Sequence, residues 1–372
     1  MEKIIENFGC ELIGWLFRRR SPWLLIMRAG LLVVLTTLAA GGVAFVASVP
    51  LENGELSLNF SNAGGTSEKL VYGAFAIGFA IMIFGIVMEV RREQYAKKLK
   101  QRNKAVFIEL RGLRQSPGVA IEDSEFVDSE WRKQRISCDL RQNIRDGVII
   151  EPKIALEKLL SLPTQLKSGF DGENRADLKV FFGGLAPVPL TFLAGVLLDD
   201  EGPITIVDWD RHKNQWRNLN GIDDCTRPES SGLGRLPQNV TNVALCVSIS
   251  YAVDLTAVRK VLPGVPVVEC ALNNKSTDNH WSEEKQIEIG QKFLETVQFL
   301  AEKGVEHIHL FLAAQSSVVF RLGRLYDHRN LPNLLVYQYE KGNGHLYPWG
   351  IEMPVAGLDR PDVVSIEKTA QE

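Results

Sequence analysis

Asp208 and Asp210 close the apolar run PITIVDWD (203 to 210) at positions i and i+2, so a strand there puts both carboxylates on one face. Carboxylates so placed could hold Mg²⁺ for cleavage of a phosphodiester. No third carboxylate stands close by and no nucleophile–base pair is evident, which leaves that constellation incomplete. His307 and His309 share one face of another apolar run. Two histidines without a local third ligand more often pack or hydrogen-bond than bind metal. The five cysteines (Cys10, Cys138, Cys225, Cys246, Cys270) are scattered with no C-x-x-C spacing, which reads as reduced, mostly buried thiols. No P-loop, GxSxG or HExxH occurs. The expectation is no catalytic residue, no metal and no cofactor.

Two turns of small residues offer different chemistry. GGLAPVP (183 to 189) and LAAQSS (312 to 317) each follow an apolar strand and open an apolar helix. Helix N-termini present free N–H groups, and ligands of open α/β sheets sit beyond the carboxyl ends of the strands. Turns without bulky charged side chains would let backbone donors approach phosphates. The candidates are Gly184, Leu185, Ala186, Pro187, Val188 and Pro189 in the first turn, and Ala314, Gln315, Ser316 and Ser317 in the second. Packing also favours small residues in such loops, so the turns alone do not decide.

The turns belong to a repeat. VFFGGLAPVPLTFLAGVLLDD (180 to 200) overlays IHLFLAAQSSVVFRLGRLYDH (308 to 328) at an offset of 128, which sets Phe192 on Phe320 and Gly195 on Gly323. A second strand follows each helix: PITIVDWD in one copy, NLLVYQYE (333 to 340) in the other. Between them lie NVALCVSIS (242 to 250), VPVVECAL (265 to 272) and a helix from Ser282, with Glu283 and Glu284 in its first turn and Gly304 after its end. Alternating short strands and helices predict parallel α/β layers, here as a pseudo-dimer of Rossmann-like units with two turns facing one cleft.

Ahead of this region the composition changes. The whole chain of 372 residues is 45% hydrophobic and 23% charged with net charge −3, which argues against disorder and against nucleic-acid binding by a basic surface. Yet residues 29 to 49 and 70 to 88 carry no charge, and runs of about 20 residues cross a hydrocarbon core of about 30 Å. Residues 1 to 22 carry four basic residues, residues 50 to 69 one, and residues 91 to 114 nine. The positive-inside rule puts both termini in the cytoplasm. Thr36, Ala40, Ala44 and Ser48 recur every four residues on the first span, and Ala74 and Gly78 form a shorter small-residue stripe on the second. Such stripes suit close helix packing, within a subunit or between subunits. Arg28 either snorkels to headgroups or lines a pore built from several copies. The expected division is a cytoplasmic N-terminus (1 to 22), a transmembrane hairpin (23 to 90), a connecting helix and packed subregion (91 to 175), and a duplicated α/β core (176 to 372) with units at about 176 to 255 and 265 to 355; residues 166 to 178 read as an exposed loop.

GGLAPVPLTFLAG, DWDR (208 to 211) with Trp216 downstream, HIHLFLAAQSSVVFRLG and YQYEKGNGHLYPWGIEM together resemble the SAVED domain family, over roughly 105 to 355. The resemblance implies a fused pair of CRISPR-associated Rossmann-fold units that senses a cyclic oligonucleotide. With two spans ahead, the chain resembles the membrane effectors of CBASS anti-phage systems. It implies a cyclic di- or trinucleotide ligand, a homo-oligomer in the bacterial inner membrane, and formation of a pore or ion channel, with no DNA or RNA polymer as partner. The second turn departs from the proline-containing form common in the family. Carried over by position, Asp210, Arg211, Trp216, Arg321, Tyr339 and Trp349 would flank the cleft, with arginines pairing to phosphate and aromatics stacking on bases. A metal-dependent phosphodiesterase and a membrane-anchored protein-binding scaffold are the alternatives.

Overall fold

The computed structural model describes residues 21–40, 47–51, 54–58, 68–112, 118–141, 144–145, 148–341, 346–354 and 360–366, in two units, 1–101 and 102–372. In the first unit helix α1 covers Pro22–Ala40, with Pro22 at its first position, where a missing N–H breaks no helical bond. Strands β1 (Ala47–Leu51) and β2 (Gly54–Leu58) pair antiparallel. Helix α2 (Glu68–Arg102) is one 35-residue element, so the apolar run and the basic stretch after it share a single rod.

Both helices are long and apolar enough to cross a membrane. They meet where side chains are missing. A Cβ on Gly30 would lie 2.4 Å from the Met82 nitrogen, one on Gly85 2.7 Å from the Met27 nitrogen, and one on Gly78 2.8 Å from Val33 Cγ1. Close backbone approach of this kind is what holds helices together in lipid. At one end the Ser21 hydroxyl donates to the buried Glu89 carboxylate, which also pairs with Arg92 at 2.6 Å.

The small-residue stripe expected on the first span is not this contact. Thr36 is exposed and its hydroxyl donates back to the Val33 carbonyl (3.0 Å). Ser48 stands on β1 rather than on a helix, and Ala44 and the side chains of Ala40 and Ser48 lie outside the described residues. Ala74 and Arg28 are half-buried on α2 and α1. The apolar run at 29–49 is therefore not one helix; Gly41 and Gly42 are its weakest helix formers besides Gly30, which is buried in α1, and Pro50 follows its end.

The second unit holds two sheets. β3 (Lys104–Arg111) and β4 (Arg132–Asp139) are followed by a small hairpin, β5 (Ile144–Arg145) and β6 (Val148–Ile149), then by helices α3 (Pro152–Leu160) and α4 (Leu162–Phe170). Next come β7 (Leu178–Leu185), helix α5 (Val188–Leu197), β8 (Ile204–Asp210) and β9 (Gln215–Asn218). The first sheet has the order β4-β3-β7-β8-β9, parallel except for β9. β10 (Glu229–Ser231), β11 (Asn242–Ser248), helix α6 (Leu255–Val261), β12 (Val267–Ala271), helix α7 (Glu283–Glu302), β13 (His307–Ala313), helix α8 (Ser316–Leu325), β14 (Asn333–Gln338), β15 (Trp349–Glu352) and β16 (Asp362–Ser365) supply the second half. Its sheet order is β10-β12-β11-β13-β14-β15-β16. Numbered within each half, the shared five strands run 2-1-3-4-5, a doubly wound order whose switch point lies between strands 1 and 3.

This topology moves the expected boundaries. β3 is hydrogen-bonded between β4 and β7, so residues 104–139 belong to the first sheet rather than to a connecting subregion. Six consecutive buried residues from Ala105 mark a central parallel strand, covered on both faces. β11 pairs with β12 and β13, so the halves divide between β9 and β10 and not near residue 255. The loop expected from 166 begins only after Phe170, because α4 buries Leu166.

The repeat is present at the offset of 128: α5 and α8 begin at 188 and 316 and end at 197 and 325. Each of these helices also packs on the opposite half, α5 on β14 and β15, α8 on β7 and β8, and the two pack on each other. Their crossing is reciprocal. A Cβ on Gly195 would lie 2.3 Å from the Phe320 carbonyl oxygen, and one on Gly323 2.1 Å from that of Phe192. α5 is apolar on every side because every side is covered.

Candidate ligand-binding site

A cavity of about 310 Å³ opens at the carboxyl ends of the strands around the switch point of the second sheet, and both halves line it. The first half contributes Leu185 at the end of β7, Asp208 and Trp209 on β8, and Arg211 and His212 in the turn to β9. The second contributes Ser250 and Tyr251 after β11, Ala314, Gln315 and Ser316 between β13 and α8, and Thr277, Asp278, His280 and Trp281 ahead of α7. Of the residues expected from the sequence, Leu185, Arg211, Ala314, Gln315 and Ser316 are gathered here.

The amides expected to grip phosphate have other partners. The Ser317 N–H donates to Asp208 Oδ2 (3.0 Å), and the Val188 N–H donates to Gln338 Oε1 (3.1 Å). Strand 4 of each half thus caps the helix of the other half, satisfying donors that a helix N-terminus leaves unpaired. A carboxylate at the α8 N-terminus repels a second anion, so the paired phosphate-gripping turns are not what the fold builds. Gly184 and Pro189 are buried, and Ala186 and Pro187 lie against Gly112, where a Cβ would come within 2.7 Å of Ala186 Cα. Ser317 is buried, its hydroxyl accepting from Gln286 Nε2 (2.9 Å).

Several expected cleft walls stand elsewhere. Asp210 accepts from the His212 and Lys213 N–H groups (both 3.0 Å) and pairs with Arg217 at 3.7 Å, which shapes the β8–β9 turn. Trp216 is core: it is 3% exposed, and its Nε1–H donates to the Val119 carbonyl. Trp349 is buried and donates to Glu340 Oε1 (2.7 Å). Arg321 turns to α7, where Glu283 and Gln286 accept from it. Tyr339 packs edge-on to Tyr347, with centroids 5.6 Å apart. In each case burial or a local partner claims the side chain first.

The residues that sequence reasoning missed lie mainly in the polar stretch NNKSTDNHW (273 to 281). It follows strand β12 and precedes α7, so its place at a carboxyl sheet edge was the available signal. His280 is 3% exposed, and neither ring nitrogen makes a hydrogen bond of ordinary geometry, although the Thr277 backbone and the Asp208 carboxylate stand against the ring. Burial pushes its pKa down, opposed by the Asp208 carboxylate 3.5 Å from Nε2. Gln315 Oε1 and Ser316 Oγ are buried without partners. Native interiors rarely leave such groups unpaired. Trp281 stacks under Arg217 (4.6 Å), and Arg211 has no ion pair among the described residues.

Other candidate chemistry is accounted for locally. His309 Nδ1 lies 2.9 Å from the Tyr337 hydroxyl. Cys138 and Cys270 are buried, with thiols pushed up to about 11, and Cys246 to about 12, mainly by desolvation. Cys225 is exposed, and Cys10 lies outside the described residues.

A family model for the SMODS-associated and fused to various effectors sensor domain (SAVED) matches residues 162–353, more than half of the chain. A second model, the SAVED-fused 2TM effector domain, matches residues 2–156. No curated protein matches. Among solved structures the chain is similar to the Acinetobacter baumannii Cap4 SAVED/CARF-domain containing receptor with the cyclic trinucleotide 2′3′3′-cAAA, at 11% identity and TM-score 0.46, over 75% of this chain and 58% of that one. It is also similar to the same receptor with 3′3′3′-cAAA (13%, 0.44, 74% and 57%) and to the Moraxella osloensis Cap4 receptor (11%, 0.42, 74% and 58%). The chain spans less than two thirds of the length of these structures. Two 2-1-3-4-5 half-sheets around a shared cavity, preceded in the sequence by a pair of apolar helices, therefore have their explanation in descent: the chain belongs to the SAVED family and carries its sensor domain fused to a membrane-anchoring two-transmembrane effector domain.

Proposed function

We propose that the protein is a membrane effector gated by a cyclic oligonucleotide, which binds in the cavity shared by the two halves of the sensor. The observation that carries this reading is the cavity itself: residues from both halves line it, with buried polar atoms that lack partners and the aromatic faces of Trp209, Trp281 and Tyr251 beside them. Aromatic faces stack on bases, and Arg211 and His212 at the rim offer donors to phosphate. At about 310 Å³ the cavity sits at the small end of ligand pockets, which run from about 300 to 1,000 Å³. A cyclic di- or trinucleotide then enters in part and leaves the rest of the ring at the mouth. There it favours separation of the halves and contact with a second copy. Assembly of several copies brings their hairpins together in the inner membrane, with both termini cytoplasmic, as a pore or channel that permeabilises it. Defence against phage through a CBASS-type messenger is the corresponding biological role.

The protein acts in this reading without catalysis. The phosphodiesterase alternative needs Asp208 and Asp210 to share a metal, whereas each accepts backbone N–H bonds of its own. The test is leakage from liposomes carrying the full chain, with 3′3′3′-cAAA, 2′3′3′-cAAA and cyclic dinucleotides added in turn. One compound is expected to bind and release dye. Arg211→Ala should weaken that response about tenfold or more while leaving the unfolding temperature in place. Binding without leakage discards the permeabilising mechanism; no binding by any compound discards the sensor.

A further inference from the structure

Gln315 has its amide orientation dictated by its neighbours. Its Nε2 lies 2.9 Å from the Thr277 carbonyl, 3.0 Å from that of Ser276 and 3.3 Å from Asn279 Oδ1. Asn279 is itself oriented, since its Nδ2 donates to the Ile249 and Asn274 carbonyls. A flipped Gln315 would turn its own oxygen towards three others, so the nitrogen must be where it is. Its Oε1 is the atom left over: buried, on a residue lining the cavity, and without a donor.

That atom needs an N–H. A phosphate has none to give at neutral pH, and the Asp208 carboxylate on the same lining repels it further. An exocyclic amino group of a nucleobase carries two. His280 on the same lining, flanked by the Asp208 carboxylate at 3.5 Å and by the Thr277 backbone, adds a polar ring edge for the rest of a base. We propose that Gln315 is the base-reading residue of the cavity, its Oε1 accepting from the exocyclic amino group of a nucleobase of the ligand. The assignment rests on the cyclic-oligonucleotide reading above and gives the α8 turn a different task from the phosphate grip that its sequence suggests.

The experiment is calorimetric titration of the full chain in detergent with 3′3′3′-cAAA, 2′3′3′-cAAA, cyclic di-AMP, cyclic di-GMP and cyclic di-UMP. Each binder is then compared with its analogue in which hydrogen replaces the exocyclic amino group. The analogue is expected to bind roughly 10- to 100-fold more weakly, the effect of leaving one buried acceptor unpaired. Cyclic di-UMP, with no exocyclic amino group, should be the weakest. In Gln315→Met the parent ligand and its analogue should bind alike. The comparison of ligands on the unaltered protein decides the matter even if that variant unfolds. An analogue that binds as tightly as its parent, or a Gln315→Met protein that keeps the preference, overturns the proposal and leaves the sensor reading standing. No binding by any compound overturns both.

Discussion

The reciprocal glycine contact between α5 and α8 makes a quantitative demand. In Gly323→Ala the new methyl would lie 2.1 Å from the Phe192 carbonyl oxygen and 3.2 Å from Gly195 Cα, whereas ordinary contact begins at 3.4 Å. The obstacle is helix backbone on a fully buried face, so the helices must part by more than 1 Å or bend. Overpacking a well-packed core costs about 1–3 kcal/mol, and a backbone obstacle puts this site at the upper end. Alanine returns about 1 kcal/mol through its better helix propensity. The net loss is about 2 kcal/mol, which for a unit of this size lowers Tm by about 4–8 °C. Circular dichroism melting of the full chain in detergent measures it, with Gly234→Ala, whose Cβ would meet open space, as the control. Gly195→Ala should behave alike, and the double variant should lose less than the sum because both open one interface. The cavity is lined from both halves, so ligand affinity should fall with them. A Gly323→Ala protein that melts at or above the parent temperature would refute the reasoning.

The buried Lys285 ammonium donates to both oxygens of Asp224 (2.8 Å each), and this holds the Asp224 carboxyl down at about 2. Asp224→Asn strands a buried cation and should cost about 1–3 kcal/mol, a figure reduced because the Asp224 side chain is half-exposed. Lys285→Met removes the charge and should cost clearly less in urea titration; equal losses would contradict this account. Burial also pushes His280 and His309 below the ordinary 6.5. The unfolded chain then binds more protons than the folded one, so stability is full above about pH 6.5 and declines as pH falls towards the lowered folded values. Tm measured from pH 7.5 to 5 should drop, and His280→Gln should flatten part of the slope; an unchanged slope would count against a neutral, buried His280.

The repeat at an offset of 128, its glycines at 195 and 323, and the two apolar runs ahead of it were all legible in the chain, because residue size and hydropathy period are local properties. The sequence also pointed to DWDR and AAQSS, where part of the cavity lies. It could not show that the side chains of Asp208 and Gln338 reach across to cap the opposite half's helices, since these bonds join residues 109 and 150 positions apart. Nor could it tell Trp216, closed into the core, from Trp209 beside the cavity: the two are cross-strand partners on one face of the β8–β9 hairpin, their rings edge-on at 5.5 Å, and only the distant segments that cover each one set its exposure. The place of β3 inside the first sheet, between β4 and β7, was hidden as well: a buried apolar strand carries no mark of its neighbours. What the chain determined alone was which segments bury themselves and which small residues permit close approach. Tertiary structure decided which polar groups found partners and which, like Gln315 Oε1 and Ser316 Oγ, did not, because hydrogen-bond satisfaction is settled only when distant segments meet.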